Sequence, residues 1–405
     1  MHAPASRTSL LADLRSLPRP FWVLFTGTFI NRFGSFAYPF LTIYLTRQGY
    51  SLFTASVAVS AFGGGALLGG VIGGWLSDHF GRRNTIVLGT FGAASGVMLL
   101  YAAHSLPMIV AAAATIGLFA GSYHPAAGAL LVDIVPQEQR VRAFAALRLA
   151  GNGGFACGTA AGGVLVNYSL FWLFAGDALT TVFYGLIALL WLPHGLRGQT
   201  ERAPWSAALA SFAGNRAFHS LWIAAFGSAC IAMQFASTYS LHVMQRGLSL
   251  DLAGMHLGPE AIYGLLISWN GVLIVLAELP LTSWTLRLDA RRVMALGYLL
   301  EGFGFALNGF AHSIFALWVG MTIFTFGEMI SAPTTGALVA RLAPEQLRGR
   351  YMGALALAWN SAGIAGPLLG FRLFAFDPRA LWTSCAVLGI VAAWCILRER
   401  TALAD

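Results

Sequence analysis

The sequence predicts an all-α integral membrane protein with twelve transmembrane helices in two pseudo-symmetric six-helix bundles. Three observations support this fold class: the composition, a series of long apolar runs, and an internal repeat. Of the 405 residues, 57% are hydrophobic and only 10% are charged. A soluble chain of this kind carries roughly 25% charged residues, because its surface faces water. Most of the surface of this chain should therefore face lipid.

Twelve apolar runs reach the roughly 20 residues that a helix needs to cross a bilayer core. Because lipid offers no hydrogen-bond partner to an open backbone, these runs should be helices. The short alternating segments of a membrane β-barrel are absent. The predicted spans, 1 to 12 in chain order, are residues 20–46, 52–77, 85–103, 107–132, 141–167, 170–192, 218–244, 260–286, 291–311, 314–340, 348–373 and 379–397.

The longest polar interruption follows the sixth span and predicts a division into two halves. We expect an N-terminal cytoplasmic segment, an N-terminal six-helix bundle, a cytoplasmic linker, a C-terminal six-helix bundle and a cytoplasmic tail. Their predicted bounds are 1–19, 20–192, 193–217, 218–397 and 398–405.

The two halves contain an internal repeat. HPAAGALLVDIVP in span 4 aligns with APTTGALVARLAP in span 10 at an offset of 208 residues, which places Pro125 on Pro333 and Gly128 on Gly336. The offset continues through the next span. Two halves related in this way are the architecture of secondary transporters that bind substrate at the bilayer midplane, between the halves.

The charge distribution predicts the orientation. All 24 basic residues are arginine, and the formal net charge is +8. With the N-terminus inside, 18 arginines fall on the cytoplasmic side and four on the other side. This bias follows the positive-inside rule, so both termini should be cytoplasmic in a multi-pass protein of the plasma membrane, the inner membrane in a bacterium. The charge needs no nucleic-acid partner to explain it.

No cofactor or metal site is expected. The four cysteines, Cys157, Cys230, Cys385 and Cys395, all fall in predicted spans and lack metal-ligand spacing, which favours buried free thiols. The first 20 residues lack the apolar core and cleavage site of a signal peptide, so we expect a short cytoplasmic segment there.

The loop between spans 2 and 3 carries a family signature. The stretch GWLSDHFGRRNTI resembles the G-x-L-x-D-x-x-G-R-R/K motif of the major facilitator superfamily, and the agreement of spans and repeat extends over the whole chain. The resemblance implies that fold and a conformational latch on the cytoplasmic side. The latch candidates in this loop and the next cytoplasmic loop are Gly74, Asp78, Gly81, Arg82, Arg83, Asp133, Glu138 and Arg142. The alternative is that the arginines only anchor the topology.

Span 5 resembles a second motif of the superfamily. RLAGNGGFACGTAAGGVL is similar to the G-x-x-x-G-P-x-x-G-G motif of the twelve-span drug/proton antiporters (the DHA1-like group), although Thr159 replaces the proline. This resemblance implies an exporter. Small residues four positions apart let helices pack closely, and we expect such packing between the halves at Gly154, Gly158, Gly162, Gly163, Gly366, Pro367 and Gly370.

Ionisable residues inside spans are functional candidates, because a charge at the bilayer centre costs at least about 2.5–3.5 kcal/mol. Buried carboxylates and histidines can exchange protons near neutral pH, so Glu328, His124 and Glu278 are candidates for proton coupling. For Glu278, pairing with a loop arginine is the alternative. Asp177 and Glu301 are expected to have structural roles.

Polar and aromatic residues of several spans form a candidate substrate cavity. Arg32 lies about twelve residues into span 1 and can bind an anionic group or hold a carboxylate. The full candidate set is Asn31, Arg32, Tyr38, Arg148, Gln234, Tyr239, Asn270, Trp359 and Asn360.

Three functions follow as hypotheses. The first is a secondary active transporter that moves a small organic solute by alternating access, as proton-coupled efflux of drugs or metabolites. The second is a proton-coupled importer or facilitator of an anionic metabolite or peptide, with Arg32 and Arg148 as ligands. The third, a membrane enzyme or sensor, lacks any catalytic motif. The expected partners are a small-molecule substrate, protons and the lipid bilayer, and we expect a monomer.

Overall fold

The computed structural model describes residues 17–136, 139–195, 211–252, 255–285, 288–344 and 347–399. The helices of the first half are α1 (Arg19–Phe33), α2 (Ala37–Arg47), α3 (Leu52–His79), α4 (Arg82–Tyr101), α5 (Leu106–Ile134), α6 (Arg140–Tyr168) and α7 (Leu170–Trp191). The predicted N-terminal segment and most of the predicted linker lie outside the described residues.

The second half repeats this pattern. It contains α8 (Arg216–Gln234), α9 (Thr238–Arg246), the hairpin strands β1 (Leu250–Leu252) and β2 (Met255–Leu257), α10 (Pro259–Thr285), α11 (Ala290–Ala306), a 3₁₀ turn (Leu307–Phe310), α12 (Ile314–Leu342), α13 (Arg348–Phe376) and α14 (Pro378–Arg398). The two strands pair antiparallel.

Eleven segments of the described chain are long and apolar enough to cross a membrane, and they correspond to predicted spans 2 to 12. The first predicted span was expected as one helix, but it is divided between α1 and α2. Pro39 explains the break, because its ring would clash with the carbonyl of Ser35 in a continuous helix. The seventh span is also interrupted, at residues 235–237 between α8 and α9. Both halves therefore begin with an interrupted span.

Each bundle is built on close helix contacts. In the first half, α3 packs on α5, α4 packs on α5 and α7, and α1 packs on α6 and α7. A Cβ atom added at Gly117 of α5 would lie 2.0 Å from the carbonyl oxygen of Phe62. Only a glycine allows this backbone approach. In the second half, α11 packs on α12 and α14, and α8 packs on α13 and α14.

The two bundles meet through α6 against α10, α3 against α13, and α2 against α9. A Cβ atom on Gly163 of α6 would lie 3.0 Å from the Glu260 carbonyl oxygen of α10, so this glycine packs between the halves as predicted. Gly154, Gly158 and Gly162 instead contact α1 and α2 of their own bundle. The reason is that one helix face cannot serve two neighbours, and most of the small face of α6 lies against α1.

Candidate substrate cavity

A cavity of about 630 Å³ lies inside the first bundle. All of its lining residues belong to α1, α5, α6 and α7, and they include Thr28, Asn31, Arg32, Tyr123, His124, Phe144, Arg148, Asn152, Phe155 and Tyr184. The charged side chains in this lining are both arginines, and no acid is among them. The cavity wall therefore combines positive charge with aromatic surface.

Arg32 occupies the last turn of α1, beside the break that separates α1 from α2. Within the described part of the chain, its guanidinium has no ion pair and no hydrogen bond. His124 of α5 is its electrostatic neighbour and is exposed to the cavity. An arginine without a carboxylate partner in a cavity wall is available to a ligand.

Arg148 connects the cavity to the second bundle. It lines the cavity from α6 and forms an ion pair with Glu278 of α10. It also interacts electrostatically with Glu328 of α12. Glu328 accepts a hydrogen bond from the Asn270 side-chain nitrogen at 2.9 Å. Glu278 therefore pairs with an arginine from within a span, and not with the loop arginine that was the alternative to a coupling role.

Arg32, Asn31, Arg148 and His124 come together in the cavity, as the sequence predicts. Six other substrate candidates do not line it. Asn270 is buried on α10, where it binds Glu328. Gln234 and Tyr239 flank the break between α8 and α9 and are buried in the second bundle. Tyr38 stacks on Phe62, and the remaining two, Trp359 and Asn360, lie half-buried on α13.

Sequence reasoning missed several lining residues. Tyr123 precedes His124, next to the in-span Pro125, and this position was the available signal. Asn152 corresponds to Asn360 in the internal repeat, and a polar residue at both positions of the repeat was a second available signal. The aromatic members, such as Phe144 and Phe155, carried no distinguishing signal, because phenylalanine is abundant throughout the chain.

The bundles are closed against each other at one face. We call the face where the described chain begins and ends the terminal face, and the other the opposite face. Near the opposite face, the Tyr263 hydroxyl of α10 donates to the Pro39 carbonyl oxygen of α2 at 2.9 Å. Arg47 of α2 forms an ion pair with Glu260 of α10. We call these contacts of α2 the gate contacts.

The same bundles diverge toward the terminal face. A Cβ atom on Gly63 of α3 would lie 2.4 Å from the Gly363 carbonyl oxygen of α13. Nearer the terminal face, Cβ atoms on Gly70 and Gly74 of α3, or on Gly353 of α13, would meet nothing within 4 Å. The cavity therefore opens toward the terminal face, which the arginine distribution predicts to be cytoplasmic.

The signature loop is held within the first bundle. Gly81 connects α3 to α4 with a φ of +92°, a conformation that favours glycine. The Arg82 Nε atom lies 3.1 Å from an Asp133 carboxylate oxygen. Arg83 lies 3.1 Å from the His194 ring nitrogen. The side chains of Asp78, Glu138 and Arg142 lie outside what the structure describes, so a latch across the halves stays a prediction.

The second half carries a shortened copy of the signature, in which Arg291 and Arg292 correspond to Arg82 and Arg83 and the acid is Asp289. Asp289 precedes α11 and accepts hydrogen bonds from the backbone nitrogens of Arg291 and Arg292 at 2.9 and 3.0 Å. The bond from Arg292 is the main cause that lowers the pKa of Asp289 below its usual value. This acid is therefore a helix cap.

The two acids expected to be structural are both buried and hydrogen-bonded. Glu301 of α11 accepts hydrogen bonds from the hydroxyl of Ser228, at 2.5 Å, and from that of Ser331. Asp177 of α7 accepts a hydrogen bond from the backbone nitrogen of Ala37, the first residue of α2, at 2.8 Å.

The helical spans, the two bundles and the cavity in the first bundle define a membrane transporter. The sequence model of the Major Facilitator Superfamily matches residues 24–261 and 254–404. Because these ranges cover most of the chain, the protein belongs to this superfamily.

Three transporters are similar to this chain in sequence. An MFS-type transporter of Bacillus subtilis, YttB, is 29% identical over 388 residues, covering 93% of this chain and 94% of YttB. A Na⁺, Li⁺, K⁺/H⁺ antiporter of Planococcus maritimus is 25% identical, covering 90% and 93%. The multidrug resistance protein MdtH of Cronobacter sakazakii is 27% identical, covering 79% of each chain.

The fold also occurs in solved structures. The crystal structure of the peptide transporter POT in complex with sulfate superposes with a TM-score of 0.80, covering 96% of this chain and 98% of that one. At 17% identity, this likeness concerns the fold alone.

Proposed function

We propose that this protein is a secondary active transporter for a small organic solute with an anionic group, and that it moves this solute together with protons by alternating access. The observation that carries the proposal is Arg32, an arginine that faces the cavity without a carboxylate partner among the described residues.

The cavity chemistry supports an anionic group on the substrate. A guanidinium binds carboxylate and phosphate groups through paired hydrogen bonds. Leaving such a group unpaired at membrane depth is costly, so a ligand that neutralises it gains affinity. The aromatic rings of Phe144, Phe155 and Tyr184 offer surface to the organic part of the solute. The volume of about 630 Å³ is in the range of small-molecule sites.

The contacts between bundles support alternating access. The gate contacts close the opposite face, while α3 and α13 separate toward the terminal face. A rocking motion of one bundle against the other would open the opposite face and close the terminal face, so that the cavity becomes accessible from the other side. The gate contacts would break, and the terminal ends of α3 and α13 would approach each other.

The pairing of Arg148 with Glu278 supports proton coupling of a particular sign. While Glu278 is charged, it competes with a substrate anion for Arg148. A proton on Glu278 removes this competition, so the proton and the anion favour each other's binding. Coupling of this kind moves the proton and the anion in the same direction. When the proton gradient is directed inward, the anion is therefore taken up. A conformational equilibrium responds only to such differences in binding.

Proton-driven efflux is the second candidate. The glycines of span 5 resemble the drug/proton antiporter motif, and a multidrug resistance protein and a cation/proton antiporter are among the relatives. The absence of a described acid in the cavity lining disfavours cationic drugs as its cargo.

Flux measurements in proteoliposomes distinguish the candidates. We would reconstitute the protein with a pH-sensitive dye inside and add anionic, neutral and cationic organic compounds outside. Acidification of the lumen with an anionic compound is expected for uptake, and alkalinisation would indicate exchange. Arg32→Ala should abolish the flux, whereas Arg379→Ala, at an exposed arginine on α14, should not. Flux restricted to cations, or full flux in Arg32→Ala, would overturn the proposal.

A further inference from the structure

The short helix α2 is the part of the first bundle that makes the gate contacts. Its Pro39 carbonyl accepts the Tyr263 hydroxyl, and Arg47 at its end pairs with Glu260. Because α2 is separated from α1 by residues 34–36, it can move without carrying α1 with it. The contacts of its first turn therefore contribute to the position of α2.

That first turn is held by Asp177 of the neighbouring helix α7. One carboxylate oxygen of Asp177 accepts the backbone N–H of Ala37 at 2.8 Å, and the side chain is buried. A helix start has unpaired N–H groups and a partial positive charge, so an anion there stabilises the helix in place. Asp177 supplies this anion from outside the interrupted span.

A chain of buried polar groups connects Asp177 to the cavity. The Tyr123 hydroxyl donates to the Asn31 side-chain oxygen at 2.8 Å, and the Asn31 nitrogen donates to the Thr181 hydroxyl at 3.0 Å. The Thr181 hydroxyl in turn donates to Asp177, at 3.4 Å. Tyr123 and Asn31 line the cavity, and Asn31 precedes Arg32. A change at the cavity wall can therefore reach the start of α2 through three hydrogen bonds.

The equivalent break in the second bundle is organised differently. There, Gln234 accepts the Thr238 hydroxyl at 2.8 Å and donates to the Gly366 carbonyl oxygen at 3.1 Å. This side chain is neutral and does not line the described cavity. An ionisable group at a break, linked to the cavity wall, is thus a feature of the first bundle.

We infer that Asp177 is a positioning residue for transport: it holds α2 in the gate-closed position and, through Thr181 and Asn31, makes that position depend on the cavity wall. The inference rests on the alternating access proposed above. It assigns to Asp177 no contact with the transported solute.

The distance between the bundles at the opposite face tests this inference without any substrate. Spin labels at Gln48→Cys, at the end of α2, and at Ser249→Cys, in the second bundle, are both on exposed positions. A Cys157→Ala background removes the exposed native thiol, since the other three cysteines are buried. Pulsed electron paramagnetic resonance on the protein in lipid nanodiscs then gives the populations of gate-closed and gate-open distances.

Asp177→Ala should raise the ratio of open to closed populations by about tenfold, the effect of losing a helix cap. The nearly isosteric Asp177→Asn keeps an acceptor oxygen but loses the charge, so it should give a smaller shift in the same direction. Thr181→Val should give a smaller shift in the same direction. Glu301→Gln is the matched control, because it removes an equally buried carboxylate that holds no helix start. It should match the wild-type distribution. Elution from a size-exclusion column as a single species confirms that each variant is folded. If Asp177→Ala does not fold, Asp177→Asn still tests the inference.

Two results would overturn the inference: a wild-type distribution in Asp177→Asn, or an equal shift in Glu301→Gln. A wild-type distribution in Thr181→Val would overturn the link to the cavity. Because no solute is present, a failure to find anion flux would count against the proposed function and leave these outcomes unchanged.

Discussion

Arg148 of α6 and Glu278 of α10 form an ion pair that joins the wall of the cavity in one bundle to an acid of the other. The Glu278 side chain is 13% exposed and that of Arg148 is 47% exposed. The arginine is therefore accessible from the cavity while its partner is enclosed. A proton that binds the acid changes the charge available to a solute.

Glu278→Gln should uncouple solute movement from protons. The amide imitates the protonated acid, so it leaves Arg148 permanently available to an anion. We expect solute exchange across the membrane to persist at a similar rate and to lose its dependence on pH, while accumulation driven by a proton gradient disappears. Counterflow and gradient-driven uptake, each measured between pH 5 and 8, check this. Glu328→Gln is the comparison, and loss of pH dependence there instead would assign coupling to Glu328.

Breaking the Arg47–Glu260 pair should loosen the opposite face by a modest amount. The pair is partly exposed, so its loss is expected to cost about 0–1 kcal/mol of gate closure. The exchanged pair Arg47→Glu with Glu260→Arg should restore closure in part, because Arg47 also donates to the Val166 carbonyl oxygen. Labelling of a cysteine at the opposite face measures opening. Arg246→Ala removes an arginine whose hydrogen bonds among the described residues lie within the second bundle, and it should behave as wild type.

Gly63→Ala should hinder closure of the bundles. The new methyl group would lie 2.4 Å from the Gly363 carbonyl oxygen, and backbone cannot yield as a flexible side chain does. Overpacking of this kind costs about 1–3 kcal/mol. The adjacent Gly64→Ala is a matched control, because its methyl group would only touch the Ile364 side chain at 3.8 Å. Equal transport rates in the two variants would contradict the role given to this contact.

Asp78→Asn should slow the transport cycle without changing the orientation of the chain. The sequence predicts that Asp78 bonds to the other bundle when the terminal face closes, and the amide would weaken a charge-assisted bond by about half. The neighbouring arginines, which are expected to set the topology, are unaffected. Flux and the sidedness of cysteine labelling are the measurements, with His79→Ala as the control. Normal flux in Asp78→Asn would indicate that this loop only anchors the topology of the chain.

The spans were predictable because length and apolarity are all that a bilayer demands of a helix. Pro39 disfavours a regular helix through Ser35 and indicates the break in span 1. It is not a sufficient signal, because Pro125, Pro333 and Pro367 lie inside continuous helices. The break before Thr238 has no proline, and it depends on side chains such as Gln234 that meet backbone from another helix. Such a break cannot be predicted from a single segment.

The residues of the candidate site were also predictable only in part. Arg32, Arg148 and His124 were found because ionisable residues are rare at membrane depth. Tyr239 was misplaced because an apolar span does not indicate which face meets the cavity and which meets a neighbouring helix. The partner of Glu278 could not be predicted either. Arg148 lies more than a hundred residues away in the chain, and only the packing of α6 on α10 brings the two together.

The described lining of the cavity comes wholly from one bundle, whereas Glu278 and Glu328, the acids that face Arg148, come from the other. Under the proposed function, the solute is thus bound mainly by the first half of the chain, and the acids proposed to bind the proton belong to the second half. Substitutions in the first half at positions other than Arg148 would then change which solute is bound and leave the proposed proton-binding acids in place. Recombination near the middle of two such genes would then join the substrate site of one transporter to the proposed proton-binding acids of another.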